Sequence, residues 1–138
     1  GAGSGILALA ARLLGACRVE AFDSDPLAVS TARANARANA LDAVVIRRLT
    51  LEQWSPERRF DVVLANLYSE ALAASAGKLA DSLADGGLLV VSGMLRPQSA
   101  PTLAALAAAG PLTVERTVNR GKWVCAGLRA SWTGAHHQ

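Results

Sequence analysis

The chain has 138 residues, of which 51% are hydrophobic and 18% charged; one globular domain with a core of its own is expected, and a wholly disordered chain is excluded. Its net charge of +3 is mildly basic, yet Lys and Arg are scattered without a long run, so no direct nucleic-acid binding is expected. No stretch approaches the roughly twenty apolar residues of a membrane span, and Cys17 and Cys125, in no CxxC pair and near no His, read as small buried strand residues in a reducing cytoplasm and not as metal or redox ligands.

The opening GAGSG places Gly1, Gly3 and Gly5 in a loop whose backbone can turn sharply and come close to a ligand. Apolar residues at helical spacing follow from Gly5 to Leu14, with Gly15 as a stop. This apolar start lacks the basic flank of a secretory signal and is interrupted by Arg12. Cys17 to Phe22 reads as a strand. Asp25 and Pro26 then form a helix start, an N-cap acceptor followed by a residue whose fixed φ suits the first turn. That helix runs to about Ala40. Within it, ARANARAN repeats every four residues, which is one helical turn and not a structural repeat.

Ala43 to Ile46 and Phe60 to Ala65 are near-continuous apolar runs, as expected of parallel strands covered on both faces. Tyr68 to Leu83 returns to helical spacing. Asp85, Gly86 and Gly87 form a turn into the apolar strand LLVVSG, and a helix follows from about Thr102 to Ala109. Leu112 to Val118 and Lys122 to Leu128, joined by three residues, form an antiparallel hairpin. The whole is an open, doubly wound α/β sheet. It ends at Leu128, and residues 129 to 138, with His136 and His137, read as a tail.

The glycine loop departs from the dinucleotide fingerprint G-x-G-x-x-G, because Ile6 stands where its third glycine is expected. Asp23 ends the strand about twenty residues past Gly3, the distance at which an acid meets a ribose. A carboxylate there can accept from both ribose hydroxyls, a geometry shared by NAD and S-adenosylmethionine. Asn66 falls at the end of FDVVLA, where ligands of open α/β sheets bind, and its amide both donates and accepts. Tyr68 and Glu70 follow on the next helix start; the ring could face a cation or pack into the core, and the carboxylate could accept a proton or a substrate cation, though a solvated face is the stronger reading.

GAGSGILALAARLLGA, AFDSDPLAV, FDVVLANLYSE, DGGLLVVSGML and GKWVCAGL occur in the same order and at similar spacings as in the ribosomal protein L11 methyltransferases, the PrmA-like branch of class I methyltransferases. The chain resembles that family over nearly all of residues 1 to 128. The resemblance implies a Rossmann-like, mostly parallel sheet with an antiparallel C-terminal hairpin. It also implies S-adenosyl-L-methionine as cofactor and N-methylation of amino groups, on a lysine side chain or an N-terminus, of a large-subunit ribosomal protein. By motif matching, Gly1, Asp23 and Asn66 take cofactor contacts; with Gly3 and Gly5 they make the candidate cofactor site, Asn66 is the candidate catalytic residue, and no metal is called for.

Members of the resembled family carry a strand before the glycines, a preceding cofactor-binding segment and a separate N-terminal domain. These are not found here, so the first, central strand is expected to be missing, and residues 1 to 138 alone are expected to be marginally folded, association-prone and inactive on the ribosomal substrate. A class I methyltransferase for a nucleic acid or small molecule, an NAD-dependent oxidoreductase and a non-catalytic binding fragment are the rival readings. The first lacks the N/D-P-P-Y/F motif, since Leu67 and Tyr68 follow Asn66; the second is opposed by Ile6.

Overall fold

The computed structural model describes residues 1 to 132; His136 and His137 lie outside the described residues. The expected single domain resolves into two compact units, Gly1–Ser55 and Pro56–Gln138.

In the first unit, α1 (Ile6–Leu13), β1 (Glu20–Asp23), α2 (Pro26–Ala38) and β2 (Val45–Arg48) follow in order. β1 and β2 pair in parallel, Glu20 opposite Val45 through to Asp23 opposite Arg48. α2 starts as expected: the Asp25 carboxylate accepts from the Leu27 N–H at 2.9 Å, and Pro26 needs no partner there. The ARANARAN unit has a packing logic. Ala32 and Ala36, one turn apart, join Val29 on the buried face, and their small side chains let the helix lie close over Leu9, Val44 and Ile46. Arg33 and Arg37 consequently face outward. Cys17 is exposed and precedes β1, which begins only at Glu20, so the expected buried strand cysteine is corrected.

The second unit holds β3 (Phe60–Asn66), α3 (Ser69–Ala74), α4 (Ala76–Asp81), β4 (Leu83–Leu95), α5 (Arg96–Ala108), β5 (Leu112–Arg120) and β6 (Trp123–Ala130). Its sheet runs β3-β4-β6-β5, with β3 parallel to β4 and the remaining pairs antiparallel. Leu72, Leu83, Leu89, Met94, Leu106 and Leu128 are fully buried and form its centre.

Several expectations are corrected. The strands form two sheets, β1-β2 and β3-β4-β6-β5, in which β1 and β3 are each edge strands, in keeping with the central strand that was expected to be missing. The helix expected over Tyr68 to Leu83 breaks at Ser75, where weak helix formers, Ser75 and Gly77, lie close together. The Asp85–Gly87 turn is absorbed into β4 as an irregularity: Phe60 pairs with Leu83 but Val62 with Leu88. α5 begins at Arg96, six residues early, since Pro97 is tolerated in a first turn. β3 was expected to be covered on both faces, yet Val62 is 52% and Leu64 40% exposed, as an edge strand permits.

β6 also runs two residues past Leu128, and Trp132 beyond it is held to the fold. The Trp132 N–H donates to the Asp85 carboxylate (2.8 Å), its indole N–H donates to the Leu83 carbonyl (3.1 Å), and the Arg59 guanidinium stacks 4.4 Å from the ring. No helix among the described residues is long and apolar enough to cross a membrane.

Candidate functional site

The glycine loop closes over the end of β1. The Gly3 N–H donates to Asp23 Oδ2 at 3.0 Å, and the Asp25 N–H donates to Asp23 Oδ1 at 3.0 Å. The Gly1 amino group and the Ala2 N–H both donate to the Phe22 carbonyl at 3.0 Å, and the Gly1 nitrogen lies 3.8 Å from Asp23 Oδ2. Gly3, at φ +56°, has open space where a Cβ would stand. Gly5, at φ +85°, is the N-cap of α1 and rests against α2, where an added Cβ would come 3.1 Å from that of Ala32. From α2, the Asn35 carboxamide donates to the Ser4 carbonyl at 2.9 Å. Gly1, Gly3 and Asp23 are thus brought together, and Gly5 seats the loop on the helix behind it.

Burial pulls the Asp23 carboxyl upward, but the N–H groups of Asp25 and Gly3, the positive amino group and the Ser24 N–H outweigh it and hold the acid below its ordinary value. A lowered folded value means that the stabilisation is complete above the ordinary carboxyl range, near 3.9, and is lost as pH falls through the folded value. The Gly3 amide proton should therefore titrate in NMR spectra with an apparent midpoint below 3.9. A midpoint at or above that value would show that the clamp does not form.

Asn66 lies in the second unit, at the C-terminal end of β3 and opposite Ser92 of β4. The Leu67 N–H donates to the Ser92 carbonyl at 3.0 Å, the last ladder bond before the chain turns into α3. Among the described residues the exposed Asn66 carboxamide has no hydrogen-bond partner, so its donor and acceptor are available. Gly93 makes this turn possible. At φ +95°, its missing Cβ would stand 2.4 Å from the Leu67 carbonyl oxygen and 3.1 Å from Asn66 Oδ1. Behind the turn, the buried Ser69 hydroxyl at the start of α3 bonds Gln98 Oε1 of α5 at 3.1 Å. Gly93, Ser69 and Gln98 were not foreseen as supports. A glycine within the apolar strand LLVVSG was the only sequence signal for any of them. Tyr68 beside Asn66 is 75% exposed, so its ring is not core packing. Among the described residues no group of acidic, His and Cys side chains could hold a metal.

The fold is shared with known structures. A ribosomal protein L11 methylase from Lactobacillus delbrueckii subsp. bulgaricus matches with a TM-score of 0.87 at 28% identity, over 95% of this chain and 67% of that one. An RNA methyltransferase from Salinibacter ruber, solved in complex with S-adenosyl-L-homocysteine, has the same fold at a TM-score of 0.74 and 22% identity, over 99% and 81% of the two chains. The fold is the α/β, Rossmann-like fold of class I methyltransferases. A sequence profile described as ribosomal protein L11 methyltransferase (PrmA) matches residues 1–131. The protein of that name from Pelotomaculum thermopropionicum (strain DSM 13744 / JCM 10971 / SI) is 41% identical over 131 residues, 94% of this chain and 42% of its own length. This chain belongs to the ribosomal protein L11 methyltransferase family. It spans about two fifths of the length of the curated relatives it matches.

Proposed function

We propose that this chain holds S-adenosyl-L-methionine on the Gly1–Gly5 loop and Asp23, and that within the whole protein it serves the N-methylation of amino groups of a large-subunit ribosomal protein in the cytoplasm. The observation that carries the reading is the Asp23 carboxylate clamping the Gly3 N–H at 3.0 Å, with open space in front of Gly3 where any side chain would intrude. Membership of the family supports the reaction class, and the names of the relatives support the substrate.

The residues present suit such a cofactor. Each Asp23 oxygen accepts a backbone N–H, and a carboxylate has about four acceptor positions, so lone pairs remain for a pair of vicinal hydroxyls. Gly3 lets main chain, not side chain, form the surface. When bound, the cofactor supplies a methyl group on a sulfonium whose leaving group is a neutral thioether. The protein's part is therefore mainly alignment. A lysine amine, with an ordinary value of about 10.4, reacts only as the neutral base. The Asn66 carboxamide suits that form, since its oxygen accepts an amine N–H without carrying a charge that would favour the ammonium. The exposed Tyr68 ring offers a π-face to a cation beside it.

In the whole protein, Asn66→Ala is expected to slow single-turnover methylation by about ten- to a hundredfold at saturating cofactor, while cofactor affinity changes much less, because misalignment costs rate steeply. A parental single-turnover rate would reduce Asn66 to a turn residue.

A further inference from the structure

Along the sequence the arginines look scattered, and that scatter was the reason to expect no contact with nucleic acid. The fold gathers three of them. Pro26, Ser30, Arg33 and Arg37 lie along one face of α2, at spacings of three and four residues. With Val29 beneath and Arg48 from the end of β2, they line a concavity of about 340 Å³. No acidic side chain lines it. The Gly1–Asp23, Arg18–Glu20 and Arg129–Glu115 ion pairs involve none of the three arginines.

Two of these side chains are also held in place. Arg33 donates from Nε (3.2 Å) and from one terminal nitrogen (2.7 Å) to the Ile46 carbonyl, which leaves its other terminal nitrogen free to face outward. Arg48 Nε lies 3.4 Å from the Ser24 carbonyl it donates to, leaving both terminal nitrogens free. The Arg37 guanidinium makes no hydrogen bond within the described residues and is exposed. Three uncompensated guanidinium groups, part of their conformational freedom already spent on main-chain carbonyls, match the oxygens of phosphate esters, which they bind as planar forks. The hollow is at the small end of ligand sites, which run from about 300 to 1,000 Å³. Its polar walls are exposed, whereas a small-molecule site encloses most of its ligand. No aromatic ring lines it on which a base could stack.

We propose that Arg33, Arg37 and Arg48 form a binding site for the phosphodiester backbone of a nucleic acid, engaged without regard to base sequence. The site shares no residue with the glycine loop and does not depend on the reading of that loop.

The test is a fluorescence-anisotropy titration of the whole protein with a short labelled oligouridylate over a range of salt concentrations, repeated with oligothymidylate and with unlabelled inorganic phosphate or adenosine monophosphate as competitors. R33Q/R37Q/R48Q should bind the oligonucleotide at least tenfold more weakly. Its slope of log affinity against log salt should shrink by about two, each phosphate contact on a single strand accounting for roughly 0.7. Arg37→Gln, which breaks no internal bond, should keep the parental unfolding temperature, lose affinity severalfold and lose about 0.7 of slope. Similar losses on RNA and DNA support a backbone site. R116Q/R120Q, on an exposed strand of the other unit, should change affinity less than twofold. The proposal is overturned if Arg37→Gln binds as the parent does, if R116Q/R120Q loses as much as the triple variant, or if phosphate or the mononucleotide saturates the site while the oligonucleotide does not bind.

Discussion

Gly93→Ala is expected to destabilise the four-stranded unit by about 2 to 6 kcal/mol and to displace Asn66. Two effects add. An alanine held at φ +95° is strained by roughly 1 to 3 kcal/mol, and its methyl group would stand 2.4 Å from the Leu67 carbonyl oxygen, so the backbone must give way at a further cost typical of overpacking, about 1 to 3 kcal/mol. The Leu67 N–H bond to Ser92 is on the same turn and would be stretched by the same movement. Urea unfolding followed by tryptophan fluorescence should show a lower midpoint with an unchanged slope. Gly77→Ala is the internal control: it is a helical glycine with nothing within 4 Å of an added Cβ, and alanine there should be neutral or stabilising by up to about 1 kcal/mol. If both variants unfold like the parent, the close approach of β4 to the Leu67 peptide is not a constraint on Asn66.

Asp23→Ala should weaken binding of S-adenosylmethionine by about 1.5 to 3 kcal/mol, roughly ten- to 150-fold in Kd. The effect has two parts. The acceptor for the ligand hydroxyls is lost, and the Gly3 and Asp25 N–H groups lose their partner, so the loop must be ordered again when ligand arrives. Calorimetry in the whole protein with the cofactor and with its demethylated product measures the total. Asp23→Asn separates the parts, since it keeps one acceptor oxygen and should recover some of the loop order but little of the charge-assisted bonding. Parental affinity in Asp23→Ala would remove the ribose role from this residue.

What could be read from the sequence was mostly local. Asp25-Pro26 announced the start of α2 because an N-cap acceptor and a proline act on their own next few residues, and the structure places the cap as expected. Asp23 and Gly3 were linked by their separation, and they meet. Edge and centre, in contrast, are properties of sheet order, so an apolar run such as FDVVLA was read as covered although Val62 and Leu64 are exposed. The role of Gly93 depends on a clash with Leu67, twenty-six positions away, and a list of residues carries no trace of it. The arginine hollow is the same case: Arg33 and Arg37 are one turn apart, but Arg48 joins them only because β2 ends beside α2. Helix interruption at Ser75 was hidden because the apolar spacing continues through it.

The two outer strands of the four-stranded sheet are not equivalent. β5 carries Glu115, Arg116 and Arg120, is irregular between Val114 and Arg116, and is pinned across to β6 by the Glu115–Arg129 pair. Such charges and irregularities discourage another strand from docking. β3 has one charge, Asp61, and from Val62 to Asn66 it runs in unbroken register with Leu88–Ser92, with apolar side chains in the open. The sheet is therefore polar in the directional sense of a growing crystal face: one margin is terminated, and the other is a template on which a further strand can be laid down. Asn66 stands on the templating margin, so whatever extends the sheet there also builds the wall beside it.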